Sequence, residues 1–416
     1  MQPAGNARCV SWRLARFTEW EPLLNLSTTG VAPWHDLVGP SVVRVPSWLP
    51  PPLSLVGEYL MFFASHWGRA LRVATAPKPS GPWAIFPHDV LTLKDVPHCR
   101  GHLASPDVHV DDAERKLVVY FHCHPAGQGG KQWTFVADSP TGFTFRPVQP
   151  VVPIRDFYFR RFVANGTVFG IAKQENDGGV MYRSVNGGAT FTKLPGLLPR
   201  MRHAAPLVRG GQVHLFYTSI GDAPEHIKHA VLWPDGDAAG AAAGSTAAWI
   251  PRGEASFVFP VTPTEGALIA PRPSTPGPAF GRSHALRDPA VLLDKGRLYL
   301  YFTVAGENGI SGGELTCQHA PITTAAGGLA TSGALQLVLH NSTRAFGAFH
   351  GCTLPSDWRT WRRLAESGVA GERQQPAQPP AMRSRWNREH TSSFFHRSNC
   401  NTRISEHTPL RRLRPE

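Results

Sequence analysis

Charged and imidazole side chains stand at the starts of apolar segments along this chain. Ser105, Asp107 and His109 open one segment, and Arg160 and Arg161 a second. Arg202 and His203 open a third, and Arg287 and Asp288 a fourth. Glu265 lies in TEGALIAPRPS, ahead of the last of these, and Asp222 and Glu225 lie in the loop GDAPE. His66 and Trp67 follow the run YLMFFAS, and Trp133 begins WTFVADS. Carboxylates exchange protons and accept hydrogen bonds, and arginine and histidine supply donors in fixed directions. Converging in one place, such a set would bind a polyol. An aspartate at a turn can also do no more than cap its own hairpin by accepting backbone N–H groups. The chemistry therefore depends on the set sharing one site. His122-Cys123-His124 has the residue types of a metal cluster. Successive side chains of a strand point to opposite faces, so all three cannot meet one ion, and the reading is structural.

The elements that must position these residues repeat. In ASPDVHVDDAERKLVVYFHCH, from Ala104 to His124, a Ser-Pro-Asp turn leads into a short strand. A charged turn from Asp111 to Lys116 and an apolar strand from Leu117 to Phe121 follow. Period-two alternation across a polar turn marks a hairpin. GPSVVRV with YLMFFASH, FYFRRFVANGTVFGIAK, HAAPLVRGGQVHLFYTS and RDPAVLLDKGRLYLYFTV repeat the pattern. Five copies of roughly 60 residues fit four-stranded blades with their loops. A single blade cannot bury both faces, so the copies must close around an axis. The expected fold is all-β: a five-bladed β-propeller of four-stranded antiparallel blades over residues 39–340. It follows an N-terminal lead-in, residues 1–38, and precedes a mostly disordered basic tail, residues 341–416. The first strand of each blade lines the axial funnel, where the polar residues above would meet. Pro50-Pro51-Pro52, the low-complexity AAGAAAGSTAA after Asp237 and the proline-rich run from Pro271 to Pro278 read as loops. A short helix is expected over 357–366.

Composition narrows the classes. Charged residues make up 17%, against 40 glycines and 39 prolines, which suits a turn-rich β protein. The net charge of +12 suggests nucleic acid. From Asp357 onward, however, twelve arginines face six acidic residues, so about half the excess sits in the tail rather than on a folded face. Nucleic acid is therefore not an expected partner, and a monomer is expected. The six cysteines show neither metal spacing nor CxxC, and free buried thiols are expected. No run approaches the roughly 18–20 apolar residues of a membrane span. The first 18 residues lack the apolar core of a secretory signal, which favours a cytoplasmic or organellar location. Asn25, Asn165 and Asn341 each begin a glycosylation sequon.

The order GPSVVRVP, SPDVHVD, RHAAPLV, EGA and LRDPAV resembles the five-bladed propeller glycosidases of family 43. It is most similar to an uncharacterised glycosyl-hydrolase-like branch of that group. The likeness spans about Gly39 to Glu314. Ser184 to Phe191 also resembles the Asp-box of sialidases, a structural hairpin, with asparagine in place of aspartate. The family resemblance implies hydrolysis of O-glycosidic bonds in a poly- or oligosaccharide. One carboxyl holds a proton for the leaving oxygen while another stays ionised. It implies Glu265 as the acid, Asp107 as the base and Asp288 as the group that orients substrate and tunes the acid. His109, Arg202, His203, Arg287 and His66 are the implied sugar contacts, with Trp67 and Trp133 as stacking platforms or core residues. No cofactor is required, although an axial calcium fits the resemblance. The family places its base in an Asp-Pro pair in the first blade, where this chain has Gly39-Pro40. Either another carboxylate has taken that work or the chain binds carbohydrate without cleaving it.

Overall fold

The computed structural model describes residues 9–27, 36–51, 57–234, 249–279 and 281–319. Two strands precede the first blade, β1 (Cys9–Arg16) and β2 (Leu24–Asn25). The first blade is β3 (Val38–Arg44), β4 (Tyr59–Ala64), β5 (Ala70–Ala76) and β6 (Ala84–Ile85), with β7 (Leu91–Thr92) also pairing β5. The second is β8 (Cys99–Asp111), β9 (Lys116–Pro125), β10 (Trp133–Ser139) and β11 (Arg146–Pro147). The third is β12 (Phe157–Ala164), β13 (Thr167–Gln174), β14 (Gly178–Ser184) and β15 (Thr192–Pro199). The fourth is β16 (Met201–Arg209), β17 (Gln212–Ser219), β18 (Ile227–Pro234) and β19 (Trp249–Val258). The fifth is β20 (Arg287–Asp294), β21 (Arg297–Val304) and β22 (Gly309–His319), and β1 completes it. The protein is a five-bladed β-propeller of antiparallel sheets.

The ring is closed by residues of the N-terminal lead-in. β1 pairs antiparallel with β22, with Leu14 opposite Leu315, so blade five is stitched from both ends of the propeller. Trp12 of β1 sets its ring edge-on to Phe216 of blade four, 5.7 Å between centroids. The tail beyond His319, the expected 357–366 helix, the alanine-rich loop and the Asn341 sequon lie outside the described residues.

Second strands are apolar on both faces because blades cover both sides of them. YLMFFA of β4 is buried throughout, as expected for a strand sandwiched between layers. The buried side chains form one apolar cluster at each of the five blade interfaces. Between blades one and two, Phe62 meets Phe145 edge-on at 5.8 Å. Truncating a side chain so placed costs about 3–5 kcal/mol. Ser184 Oγ accepts from the backbone N–H groups of Asn186 and Gly188, and Asn186 Oδ1 accepts from Thr190 N–H. The Asn-Gly-Gly hairpin is thus held by its own side chains.

Two local expectations are corrected. Ser105-Pro106-Asp107 is not a turn ahead of a strand but a bulge inside the 13-residue β8. Cys99 and Cys123 are not free thiols but a disulfide across the β8–β9 pair, with Cα atoms 5.6 Å apart. Cys317 is disulfide-bonded as well.

Candidate functional site

Each innermost strand carries the same irregularity. The register slips around Gly39-Pro40 in β3, Ser105-Pro106 in β8 and Tyr158-Phe159 in β12. It slips again around Arg202-His203 in β16 and Asp288-Pro289 in β20. At four of these bulges the first residue has positive φ: Gly39 at 59°, Ser105 at 48°, Tyr158 at 55° and Asp288 at 48°. Bulges re-aim side chains, and these five stand around one axis. The bulge is an independent solution in each blade, so its five residues need not be alike.

Gly39 is therefore more than a missing carboxylate. A Cβ at Gly39 would lie 2.5 Å from the Ser105 Cα. Backbone fills the space that a first-blade aspartate would need. The Asp-Pro pair stands one blade away, at Asp288-Pro289, in the equivalent bulge of the strand that packs beside β3.

The inner strands separate two cavities. Residues near their beginnings line a cavity of about 670 Å³ with His66, Trp67, His102, Trp133, Tyr158 and Lys173 on its walls. Residues after the bulges line a smaller one, about 240 Å³, holding Asp107, His109 and Arg160. No lining residue is common to the two.

Around the larger cavity lies a network of buried charges. His66 Nδ1 is 2.9 Å from Asp36 Oδ2 and 3.4 Å from Glu307 Oε2, and its Nε2 is 3.0 Å from the Tyr158 hydroxyl. Burial alone would lower the His66 pKa. Tyr158, Glu307 and Asp36 together raise it well above the ordinary imidazole value, which favours the charged form. Arg287 donates to both Glu225 and Glu307, at 2.9 Å each. Arg202 donates from Nε to Glu225 Oε1 at 2.7 Å, and the carbonyls of Gly277 and Thr275 each accept one N–H of its two terminal nitrogens.

Asp288 is the exception among these carboxyls. It is buried, and neither of its oxygens has a well-formed hydrogen bond among the described residues. Its backbone N–H donates to His203 Nδ1 at 3.2 Å. His203 Nε2 approaches Asp288 Oδ1 to 3.1 Å, but off line, leaving that nitrogen unsatisfied too. Burial holds His203 neutral, its pKa well below the ordinary value, so the contact is no ion pair. Burial and the nearby Glu307 push the Asp288 carboxyl up to about 7, against the opposing pull of His66, the Gly39 N–H and Arg160. Glu307 moves the other way: burial would raise it, but His66 and Arg287 bring it down to about 2. Neighbouring carboxyls driven apart in pKa divide the tasks of holding and shedding a proton.

Each of the other two carboxylates expected to act with Asp288 has its own set of partners. Asp107 accepts from Arg161 N–H at 2.7 Å, lies 2.7 Å from His109 Nε2 and 3.5 Å from Arg160, and belongs to the smaller cavity. Burial opposes its charge, but His109, Arg160 and the Arg161 N–H overcome this and hold it ionised. Glu265 is held elsewhere. Arg16 binds both its oxygens, at 2.6 and 3.2 Å, and Oε2 also accepts from Val261 and Thr262 N–H. It shares no partner with Asp107 or Asp288. Of the expected sugar contacts, His66, Trp67 and Arg202 line the larger cavity, while Arg287 and His203 support it from behind. Trp67 is 58% exposed and therefore not a core residue. Trp133 lies on the same wall with the Arg155 guanidinium 5.4 Å above its ring. Asp222 pairs with Lys228 at 2.7 Å.

Sequence reasoning missed Asp36, Tyr158, Lys173 and Glu307. Lys173 alone left a signal, as a lone cation within the apolar strand TVFGIAKQ. Asp36, His66 and Glu307 place potential ligand atoms within 4.8 Å of one another. Calcium takes six to eight oxygen ligands. This trio supplies two carboxylates and one imidazole nitrogen, fewer oxygens than calcium takes, and the three also pair with one another.

No protein-family model matches the chain. It is 28% identical over 306 residues to an uncharacterised protein of Acanthamoeba polyphaga mimivirus, 66% of this chain and 82% of that protein. Among solved structures it is similar to a family-43 β-xylosidase/α-arabinofuranosidase from a compost microbial metagenome. The identity is 13% and the TM-score 0.48, covering 73% of this chain and 95% of that one. An exo-1,5-α-L-arabinanase from a bovine ruminal metagenomic library is 15% identical with a TM-score of 0.44, covering 68% and 97%. The fold is a five-bladed β-propeller, and family-43 glycoside hydrolases are among the solved structures to which it is similar.

Proposed function

We propose that the larger cavity is a carbohydrate site and that the protein is glycoside hydrolase-like, acting on O-glycosidic bonds. Asp288 would be the carboxyl that carries the proton. The observation behind this reading is Asp288 itself: buried behind the aromatic-walled cavity, without a well-formed hydrogen bond at either oxygen and shifted up to about 7. A carboxylic acid that keeps its proton near neutrality can pass it to a leaving oxygen. Trp67 and Trp133 offer flat apolar faces to sugar rings, and His66 and Tyr158 offer polar atoms to their hydroxyls. Glu307, tied to His66 and Arg287, fixes the electrostatics rather than taking protons. Asp156, also on the cavity wall, is the remaining buried carboxylate there for activating water, with Lys193 holding one of its oxygens at 2.7 Å.

A second reading, binding without cleavage, is favoured by the Gly39–Ser105 contact, which leaves no room for a first-blade base. One experiment separates them. Aryl glycosides of xylose, arabinose and galactose are assayed for turnover, and the matching oligosaccharides for binding, with the wild type and Asp288→Asn. Turnover lost at least about 100-fold in the variant, with binding kept, supports the acid role. Wild-type binding without turnover supports the second reading, and turnover indifferent to the substitution removes Asp288 from catalysis.

A further inference from the structure

Lys173 stands apart from the other cations of the cavity. It lies on β13, the second strand of blade three, opposite Phe157 of β12, and is buried at 3% exposure while lining the cavity wall. Its Nζ sits 5.1 Å from the Phe157 ring centroid and 5.6 Å from that of Tyr158. Among the described residues it has neither a hydrogen-bond partner nor an ion pair. Of the nearby carboxyls, Glu225 is engaged by Arg202 and Arg287, Glu307 by Arg287 and His66, and Asp36 by His66 and Ser65, while Asp288 acts on Lys173 through space with no hydrogen bond or ion pair between them. Arg202, by contrast, already has Glu225 as a paired counter-charge and two carbonyls as acceptors. The cavity wall further out carries Lys131 and Arg155 as well, against Glu175 and Asp156, whose Oδ2 is held by Lys193 and the Tyr182 hydroxyl. A buried ammonium without a counter-charge is costly. Burial, with Arg202 and Arg287 nearby, pushes the Lys173 amine down to about 7, while Glu225 and Asp288 oppose the shift.

A neutral sugar hydroxyl could accept one hydrogen bond from Nζ but would leave its charge uncompensated. A carboxylate or sulfate would satisfy both, and charge-assisted hydrogen bonds are about twice as strong as neutral ones. We infer that the site selects glycans bearing an anionic group, a uronate or a sulfate ester, and that Lys173 is the residue that recognises it. This deepens the carbohydrate reading and rests on it.

The test is calorimetric binding with two matched pairs of probes. One pair is a glucuronate-bearing xylo-oligosaccharide and its unsubstituted counterpart; the other is a sulfated galacto-oligosaccharide and its desulfated form. At least one anionic member should bind about tenfold or more tightly than its neutral partner. The arm that responds identifies carboxylate or sulfate. Lys173→Met, which keeps length and apolar bulk, should abolish the preference, and Lys173→Arg should retain it. Equal affinity within both pairs, or a preference that Lys173→Met leaves intact, overturns the proposal while leaving the carbohydrate site standing. Binding of none of the four overturns both. Because the readout is binding, loss of hydrolysis does not affect the result.

Discussion

Asp288 ties its protonation to fold stability through burial. Its folded pKa, about 7, lies above the ordinary unfolded value. Between roughly pH 4 and 7 the folded state therefore holds a proton that the unfolded state has released, and stability falls as pH rises through that window. A rise of this size corresponds to roughly 4 kcal/mol, fully lost above about pH 8. Asparagine tolerates the left-handed backbone at this position. Asp288→Asn should therefore melt well above the wild type at pH 8 and show little gain at pH 4. Parallel melting curves against pH for the two proteins would place the carboxyl in an ordinary environment. Gly39 is decided at the same scale, because its positive φ and the Ser105 backbone 2.5 Å away exclude a side chain.

At the scale of elements, the Arg16–Glu265 pair fastens the loop after β19 to β1, the strand that closes the ring. Its atoms are 2.6 Å apart and the Glu265 side chain is 3% exposed. Two of the loop's backbone N–H groups also end on the same carboxylate. Removing one partner of a buried pair leaves the other without its counter-charge. Glu265→Gln and Arg16→Met should each cost about 1–3 kcal/mol in denaturant unfolding. The double variant should cost clearly less than their sum, and carbohydrate binding should be unchanged. If Glu265→Gln instead removes turnover at unaltered stability, the glutamate is an acid rather than a clasp.

The whole molecule is held by five blade interfaces, one ring closure and covalent ties. The Cys99–Cys123 bond closes a separation of 24 residues within blade two. Closing a loop of that length stabilises by about 3.5 kcal/mol in the chain-entropy view. Cys99→Ala with Cys123→Ala should lower the melting temperature by several degrees, and dithiothreitol, which also opens the Cys317 bond, should lower it by at least as much. An unmoved midpoint in both would show that the bond adds nothing to the native state. His102 and His122 lie close to the bonded strands, 5.4 Å between ring centroids, with burial pushing the first down to about 4 and the second well below its ordinary value. Among the described residues no helix is long and apolar enough to cross a membrane.

The repeating hairpins from Gly39 onward determine the blades, because period-two alternation and polar turns are local properties that a linear sequence carries in full. The same reading places Asp107, Arg160, His203 and Asp288 on innermost strands, since every blade begins with one. Local pattern does not say which side of a bulge faces which cavity. Asp107 and Asp288 therefore look equivalent in sequence, yet one lies in the smaller cavity and the other behind the larger. Nor does it reveal partners remote in the chain. Glu265 meets Arg16 across 249 positions, and Arg287 meets Glu225 across 62. Glu307 joins Asp36 and His66 only because closure of the ring brings blade five against blade one. Sequence determined the number and kind of elements through short-range periodicity. Closure of the ring decided which charges are paired, which are buried and which groups, like Lys173 and Asp288, are left without a close ion pair among the described residues.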